Sequence, residues 1–316
     1  MRPSTFSLLA ALVAERTGIV ILPEKQYLLE TRLRPLVHLH GFASLDALAG
    51  ALARDPDPDL VDDVADAMTT NETSFFRDTR PFEVLDDRVL PELVEKRRST
   101  RTLRVWSAAC SSGQEIYSIA MLLAERFPEL DGWRREFLAT DVSPTMTERC
   151  EEATYSRQEV ARGLDDERIE RHFFEAGPNE LLLDPSLKRG VMVLQHNLLE
   201  PLPPLGPETD GSTANARAPR VPARPPSAGP DGAAHAHQPA QMTGPFDLIV
   251  LRNVLIYFDA QVRRTVMERI HERLAPDGVL MLGTAESADE ELFERADRSL
   301  SGFFRPLPRA DRRRSA

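Results

Sequence analysis

Apolar residues in the first 68 positions recur at the three- and four-residue spacing of helices. Phe6, Leu9, Leu12 and Val13 form one such set, Leu28, Leu29, Leu33, Leu36 and Val37 a second, and Leu45, Leu48 and Leu52 a third. Gly18 and Gly41 stand where helices should stop, since glycine readily takes up the left-handed backbone of a helix end. After the alternating Asp/Pro run over residues 55–59, a short helix over Leu60–Met68 completes a small all-helical domain, residues 1–68. Beyond Pro81 the period changes. Short apolar runs suited to buried strands, at Leu103–Ala108, Glu136–Thr140, Val191–Gln195, Asp247–Leu251 and Val279–Leu282, alternate with helical patterns over Gln114–Phe127, Pro144–Ala153 and Ala260–Leu274. Such alternation predicts an α/β fold, a doubly wound and mainly parallel sheet with helices on both faces, spanning residues 81–316.

Three segments depart from these patterns. Thr69–Asp78 is polar and rich in hydroxyls yet carries adjacent Phe75 and Phe76, which need burial. A plain linker would be rich in Gly, Pro or Ser, so the junction over residues 69–80 is expected to build part of a site. Phe173–Val193 reads as short strands around Gly177-Pro178-Asn179, a β flap inserted beside the sheet. The stretch over residues 203–245 holds about ten of the chain's 25 prolines and almost no large apolar side chain. It cannot offset its ordering entropy by burial and is expected to be a disordered surface insertion, with His235 and His237 as solvent-exposed bystanders.

Composition narrows the function. A net charge of -11 argues against a protein that coats nucleic acid or sits on anionic lipid, because phosphate binding needs a basic face. Cys110 and Cys150 are the only cysteines, which excludes a disulfide framework and a Cys-rich metal site and fits a reducing, cytoplasmic setting. The apolar run Phe6–Ala14 behind Arg2 has the length of a signal-peptide core, but it leads straight into Glu15 and Arg16 at helical spacing and reads as the first helix. No apolar run approaches the roughly 18 residues that cross a bilayer.

The chemistry concentrates at strand ends. Leu103 to Ala120 reads as a strand, a turn of small residues (Ser107 to Gly113) and a helix, an arrangement that brings a ligand close to backbone at a helix N-terminus. It lacks the Gly-x-Gly-x-x-Gly spacing of dinucleotide binders and the Gly-Lys-Ser/Thr ending of a phosphate loop, which leaves a nucleotide or nucleoside site, or a turn with no ligand. Asp141 closes the next strand, placed either to accept two ribose hydroxyls or to cap the following helix. Asn197 follows the strand after that, and Arg252 and Asn253 the next, so four strand ends present polar groups to one crevice. Open α/β sheets bind ligands there.

Four motifs, in order, carry a resemblance: Thr-Asn-Glu-Thr-Ser-Phe-Phe-Arg (70–77), Trp-Ser-Ala-Ala-Cys-Ser-Ser-Gly-Gln-Glu-Ile-Tyr-Ser-Ile-Ala-Met (106–121), Ala-Thr-Asp-Val-Ser (139–143) and Leu-Arg-Asn-Val-Leu-Ile-Tyr-Phe (251–258). Together they resemble the CheR-type chemotaxis receptor methyltransferases over nearly the whole chain except the proline-rich insertion. The resemblance implies a Rossmann-like methyltransferase fold, S-adenosylmethionine as methyl donor and receptor glutamates as acceptors. It implies that Asn71, Thr73, Arg77, Glu115, Asp141, Asn197, Leu198, Arg252 and Asn253 line the cofactor site. Where the family has Glu-Glu-Pro-Tyr, this chain has Gln114-Glu115-Ile116-Tyr117, which keeps the second, cofactor-facing glutamate.

That chemistry needs little from the protein. A glutamate, with a reference pKa of about 4.3, is already an anionic nucleophile at neutral pH. Holding it in line with an activated methyl is worth roughly 7 to 11 kcal/mol, so neither a metal nor a Ser-His-Asp set is expected. His38 and His40, two apart on a helix, share no face. Arg77 and Tyr257 are the candidates for orienting the acceptor, Arg77 by a charged hydrogen bond. Lys25, Arg32 and Arg34 offer a basic patch for the cytoplasmic helices of a receptor or, failing that, a solvated face, and the Arg309–Arg314 run reads as a solvated tail. The expected working form is a monomer. Two other readings stand beside this one. One is a methyltransferase on another substrate, disfavoured for nucleic acid by acidity and by Arg252-Asn253-Val254-Leu255 where nucleobase methylases carry Asn/Asp-Pro-Pro-aromatic. The other is a signalling module that binds S-adenosylmethionine without turnover.

Overall fold

The computed structural model describes residues 1–205, 242 and 244–308. The helical periodicity becomes α1 (Pro3–Thr17), α2 (Gln26–Leu39), α3 (Leu45–Arg54) and α4 (Pro58–Met68). Leu9 and Val13 of α1, Leu29, Leu33 and Val37 of α2, Leu48 and Leu52 of α3 and Leu60, Val64 and Met68 of α4 share one buried cluster. Local chemistry sets the ends. The Ser44 hydroxyl accepts from the Ala47 N–H and the Asp57 carboxylate from the Asp59 N–H, supplying acceptors that the first helical turn lacks. Gly18 ends α1 with φ of 74°.

After the junction, α5 (Arg80–Val84) and α6 (Leu90–Arg97) run together through one π turn at Leu85–Val89. The sheet domain follows as β1 (Thr102–Ala108), α7 (Gln114–Arg126), β2 (Arg134–Asp141), α8 (Pro144–Glu152), β3 (Thr154–Ser156), α9 (Arg157–Ala161), α10 (Asp166–His172), β4 (Phe173–Gly177), β5 (Glu180–Leu183) and β6 (Val191–Gln195). It continues with β7 (Phe246–Leu251), α11 (Ala260–Arg273), β8 (Leu274–Leu282), β9 (Phe293–Arg295) and β10 (Phe303–Pro306). The seven-stranded sheet runs β6-β2-β1-β7-β8-β10-β9. Its first five strands are parallel, and β10 and β9 form an antiparallel edge. The chain steps outward from β1 through β2 to β6, then returns to the other side of β1 with β7. A crevice therefore opens over the carboxyl ends of β1 and its neighbours.

The mainly parallel sheet and the helical N-terminal region agree with the pattern read from sequence. The flap differs. Val191–Gln195 forms β6 of the main sheet, as the strand pattern predicts, so the flap expected over residues 173–193 ends short of Val191; its third strand is β3, giving the order β3-β5-β4. Three-residue strands such as β3 and β9 carry no period to read. β8 also begins at Leu274, five residues before the apolar run.

Of the expected insertion, residues 206–241 and 243, with His235 and His237, lie outside the described residues, as do residues 309–316 with the Arg309–Arg314 run. Within Pro203–Gly244, Leu205 pairs with Met242 in an isolated antiparallel bridge. Among the described residues no helix is long and apolar enough to cross a membrane.

Candidate functional site

The crevice encloses about 930 Å³ of atom-free space, part of it open to solvent. Asn71, Thr73, Arg77, Glu115, Asp141, Asn197, Leu198, Arg252, Asn253 and Tyr257 all line it. Residues up to 186 positions apart meet there because β6, β2, β1 and β7 are neighbours with their carboxyl ends on one side.

The turn after β1 is built against the end of β2. Ala109 and Ser111 hold φ of 72° and 50°, and Gly113 holds 92°, where a Cβ would lie 2.6 Å from Cys150 Sγ. The N–H groups of Ala109 and Cys110 both donate to the Thr140 carbonyl at 2.8 Å. Asp141 then ties two turns together, accepting from the Ser111 N–H at 2.8 Å and the Ser143 N–H at 3.0 Å. Burial raises the Asp141 carboxyl above its ordinary range, and these two backbone donors partly offset that. Each of its oxygens keeps acceptor capacity toward the cleft, enough for a pair of hydroxyls. Glu115, in the first turn of α7, accepts from the Ser107 hydroxyl at 2.8 Å and pairs with Arg252 at 3.3 Å. Burial raises Glu115 too, and the Arg252 guanidinium pulls against it.

The junction is clamped onto this floor. Phe75 packs edge-on against Tyr155 and Phe173, with ring centroids 5.1 and 5.6 Å away, and Phe76 lies 5.3 Å from Phe82 and beneath the Arg168 guanidinium. The Ser111 hydroxyl donates to the Asn71 carbonyl at 2.9 Å. Phe76, Asp78 and Thr79 all have positive φ (47°, 67° and 40°), a concentration of strain that only surrounding contacts sustain. Arg252 supplies two of those contacts, donating through Nη2 to the Arg77 carbonyl at 3.0 Å and to Asp78 Oδ2 at 2.9 Å. The Arg77 guanidinium donates to the Glu72 carbonyl and forms no ion pair among the described residues. Arg32, expected on an exposed basic patch, is instead committed to this junction, donating to the carbonyls of Met68 and Thr69 and to the Thr70 hydroxyl. Lys25 and Arg34 remain exposed.

Part of the cleft comes from the helical region, which the sequence did not reveal. Thr17 and Ile19 line it, and Ile19 bridges Phe258 beside Tyr257. The Asn197 side-chain amide donates to the Arg16 carbonyl at 2.9 Å, so one expected site residue also fastens the sheet to α1. His196, another lining residue the sequence did not flag, is pulled down to about 4 by burial and by Arg269, which leaves it neutral at pH 7. Nothing local marks these residues; the sheet order and the packing of the helical region against it bring them together. Among the described residues no cluster of His, Cys, Asp and Glu is placed to hold a metal.

Comparison with known proteins gives a consistent result. The model of the CheR methyltransferase SAM-binding domain matches residues 71–209 and 234–299, and that of the CheR methyltransferase all-alpha domain matches residues 4–69. A chemotaxis protein methyltransferase of Pseudomonas putida is 37% identical over 273 residues, covering 85% of each chain. Chemotaxis protein methyltransferase 1 of Pseudomonas aeruginosa is 36% identical over 285 residues, 89% of each chain, and a chemotaxis protein methyltransferase of Vibrio parahaemolyticus is 35% identical over 272 residues, 85% of this chain and 84% of that one. The cleft fits S-adenosylmethionine chemically. Two carboxylates, Glu115 and Asp141, suit hydroxyls and a cationic amino-acid tail, and the Arg77 guanidinium suits that tail's carboxylate. Arg252 Nε is buried with no partner among the described residues, and Ile19, Val142 and Leu198 offer apolar surface for a base.

Proposed function

The chain belongs to the CheR methyltransferase family, enzymes that methylate in chemotaxis with S-adenosylmethionine as cofactor, and on that premise we propose that it esterifies glutamate side chains on the cytoplasmic helices of chemoreceptors. The single observation that carries the acceptor class is the state of the two arginines in the cleft. Arg252 is committed to Glu115, Asp78 and the Arg77 carbonyl, whereas Arg77 retains donors for an incoming carboxylate.

In this reading Asn71, Thr73, Arg77, Glu115, Asp141, Asn197, Leu198, Arg252 and Asn253 hold the cofactor, which when bound supplies a methyl group activated by its sulfonium. Asp141 takes ribose hydroxyls and Glu115 the cationic end of the amino-acid tail. Arg77 and Tyr257 orient the acceptor: Arg77 holds one carboxylate oxygen by a charged hydrogen bond and leaves the other free to attack. No proton has to move, because the acceptor is already ionised at neutral pH. Both cleft carboxylates are engaged by protein donors, and His196 is neutral, so the protein's contribution is positioning and exclusion of water. The helical region, residues 1–68, and the junction, residues 69–80, close the cleft over the sheet domain, in a cytoplasmic enzyme acting as a monomer.

The test is transfer of radiolabelled methyl from S-adenosylmethionine to receptor-bearing membranes by the full chain. Label released as methanol by mild base is expected, since that is the signature of a carboxyl ester. Base-stable label, or none, would overturn the glutamate assignment.

A further inference from the structure

Glu286 lies outside every motif described above, four residues past the end of β8, yet its carboxylate accepts four backbone N–H groups. Oε2 receives Gly283 and Asn253, both at 2.8 Å, and Oε1 receives Val254 at 2.9 Å and Leu255 at 2.8 Å. Asn253, Val254 and Leu255 are consecutive, and Asn253 holds φ of 59°, so their N–H groups converge in a concave nest that favours an anion. This stretch carries Asn253 and Val254 into the cleft wall, and the single 3-10 turn Leu255–Tyr257 that follows carries Tyr257.

Without the carboxylate these N–H groups have no partner within the loop, and a buried donor left unpaired destabilises the conformation that exposes it. Gly283 permits the close approach. A Cβ there would lie 2.6 Å from Glu286 Oε2 and 3.1 Å from the Asn253 nitrogen. Two independent features, a carboxylate with its acceptor sites filled by backbone and a glycine shaped to admit it, thus hold one loop in one place.

We infer that Glu286 is a positioning residue for methyl transfer: through the nest at residues 253–255 it fixes Asn253 on the cofactor side and Tyr257 on the acceptor side of the same wall. It touches no substrate. The inference rests on the methyl-transfer reading, and wild-type transfer is its control.

The experiment compares wild type, Glu286→Gln, Glu286→Asp, Gly283→Ala and the Glu286→Gln/Gly283→Ala double variant as full chains, each confirmed folded by circular dichroism at the assay temperature. Glu286→Gln presents an amide to donors that need an acceptor, and kcat at saturating donor is expected to fall about 10²-fold, the scale of a displacement of roughly 1 Å in a reacting group. Binding of S-adenosylhomocysteine should weaken far less than the rate, because Glu115, Asp141 and Arg77 are untouched and only Asn253 on the cofactor side shifts. Glu286→Asp, which keeps the charge one methylene short, should lie between wild type and Glu286→Gln. The double variant should be no slower than its slower parent, since both changes break one contact. Should Gly283→Ala not fold, the Gln and Asp variants still decide. Wild-type kcat in Glu286→Gln, losses that multiply in the double variant, or a rate loss matched by equal loss of product binding would overturn the inference. Absence of transfer by the wild type itself would overturn the methyl-transfer reading instead.

Discussion

Arg252 Nη1 lies 3.3 Å from Glu115 Oε2, so the guanidinium that clamps the junction over the sheet is also the counter-charge of a carboxylate in the cleft wall. Its side chain is 1% exposed and reaches two segments, residues 77–78 and Glu115, that are nearly 40 positions apart. Cofactor floor and junction are therefore coupled through one residue.

Arg252→Ala removes that coupling. Glu115 is left buried without its partner, a change expected to cost about 3 to 5 kcal/mol of unfolding free energy. The sign with pH follows from Glu115, already raised above its ordinary range by burial and raised further without Arg252. Protonation of such a carboxyl relieves the cost of burying its charge. The deficit against wild type, read by urea denaturation, should therefore be larger at pH 8 than at pH 5; equal deficits would show that Glu115 does not carry it.

Asp141→Asn keeps the shape but turns an amide donor toward one of the N–H groups of Ser111 or Ser143. One unsatisfied buried donor costs about 1 to 3 kcal/mol. Titration calorimetry with S-adenosylhomocysteine should show affinity lower by roughly ten- to a hundredfold. Unaltered affinity would remove Asp141 from the cofactor site.

His196 sets an acid dependence of stability. Its folded value is about 4 against an ordinary 6.5, so below pH 6.5 the unfolded chain binds a proton that the folded chain refuses. The resulting loss begins as pH falls through 6.5, levels off near 4, and amounts to at most ~3 kcal/mol. His196→Gln should show a flatter stability profile across that window by denaturant unfolding, with little difference from wild type in slope above pH 7. Parallel profiles throughout would assign the acid sensitivity elsewhere.

Arg77→Ala should lower methyl transfer roughly ten- to a hundredfold, the usual worth of one charge-assisted hydrogen bond. Thermal unfolding should change little, because the guanidinium donates only to the Glu72 carbonyl among the described residues. Turnover equal to wild type would take Arg77 out of the mechanism.

Much of this protein is legible in the chain itself. Helical spacing in Leu29, Leu33 and Val37, or the apolar runs that became β1, β2 and β7, is dictated by local backbone geometry, so each pattern states its element without reference to the rest. Motifs that place Glu115, Asp141, Arg252 and Asn253 at strand ends are likewise short-range, because turn and strand are adjacent in sequence. Only the tertiary structure decided that β3 completes the flap, that Arg32 is committed to the junction, that Ile19 and His196 belong to the cleft, and that Glu286 anchors Asn253 from 33 positions away. The physical reason is the same in each case. A side chain has no intrinsic address; its partner is fixed by which strands and helices become neighbours, and that arrangement is settled by packing over the whole fold rather than by any local stretch of residues.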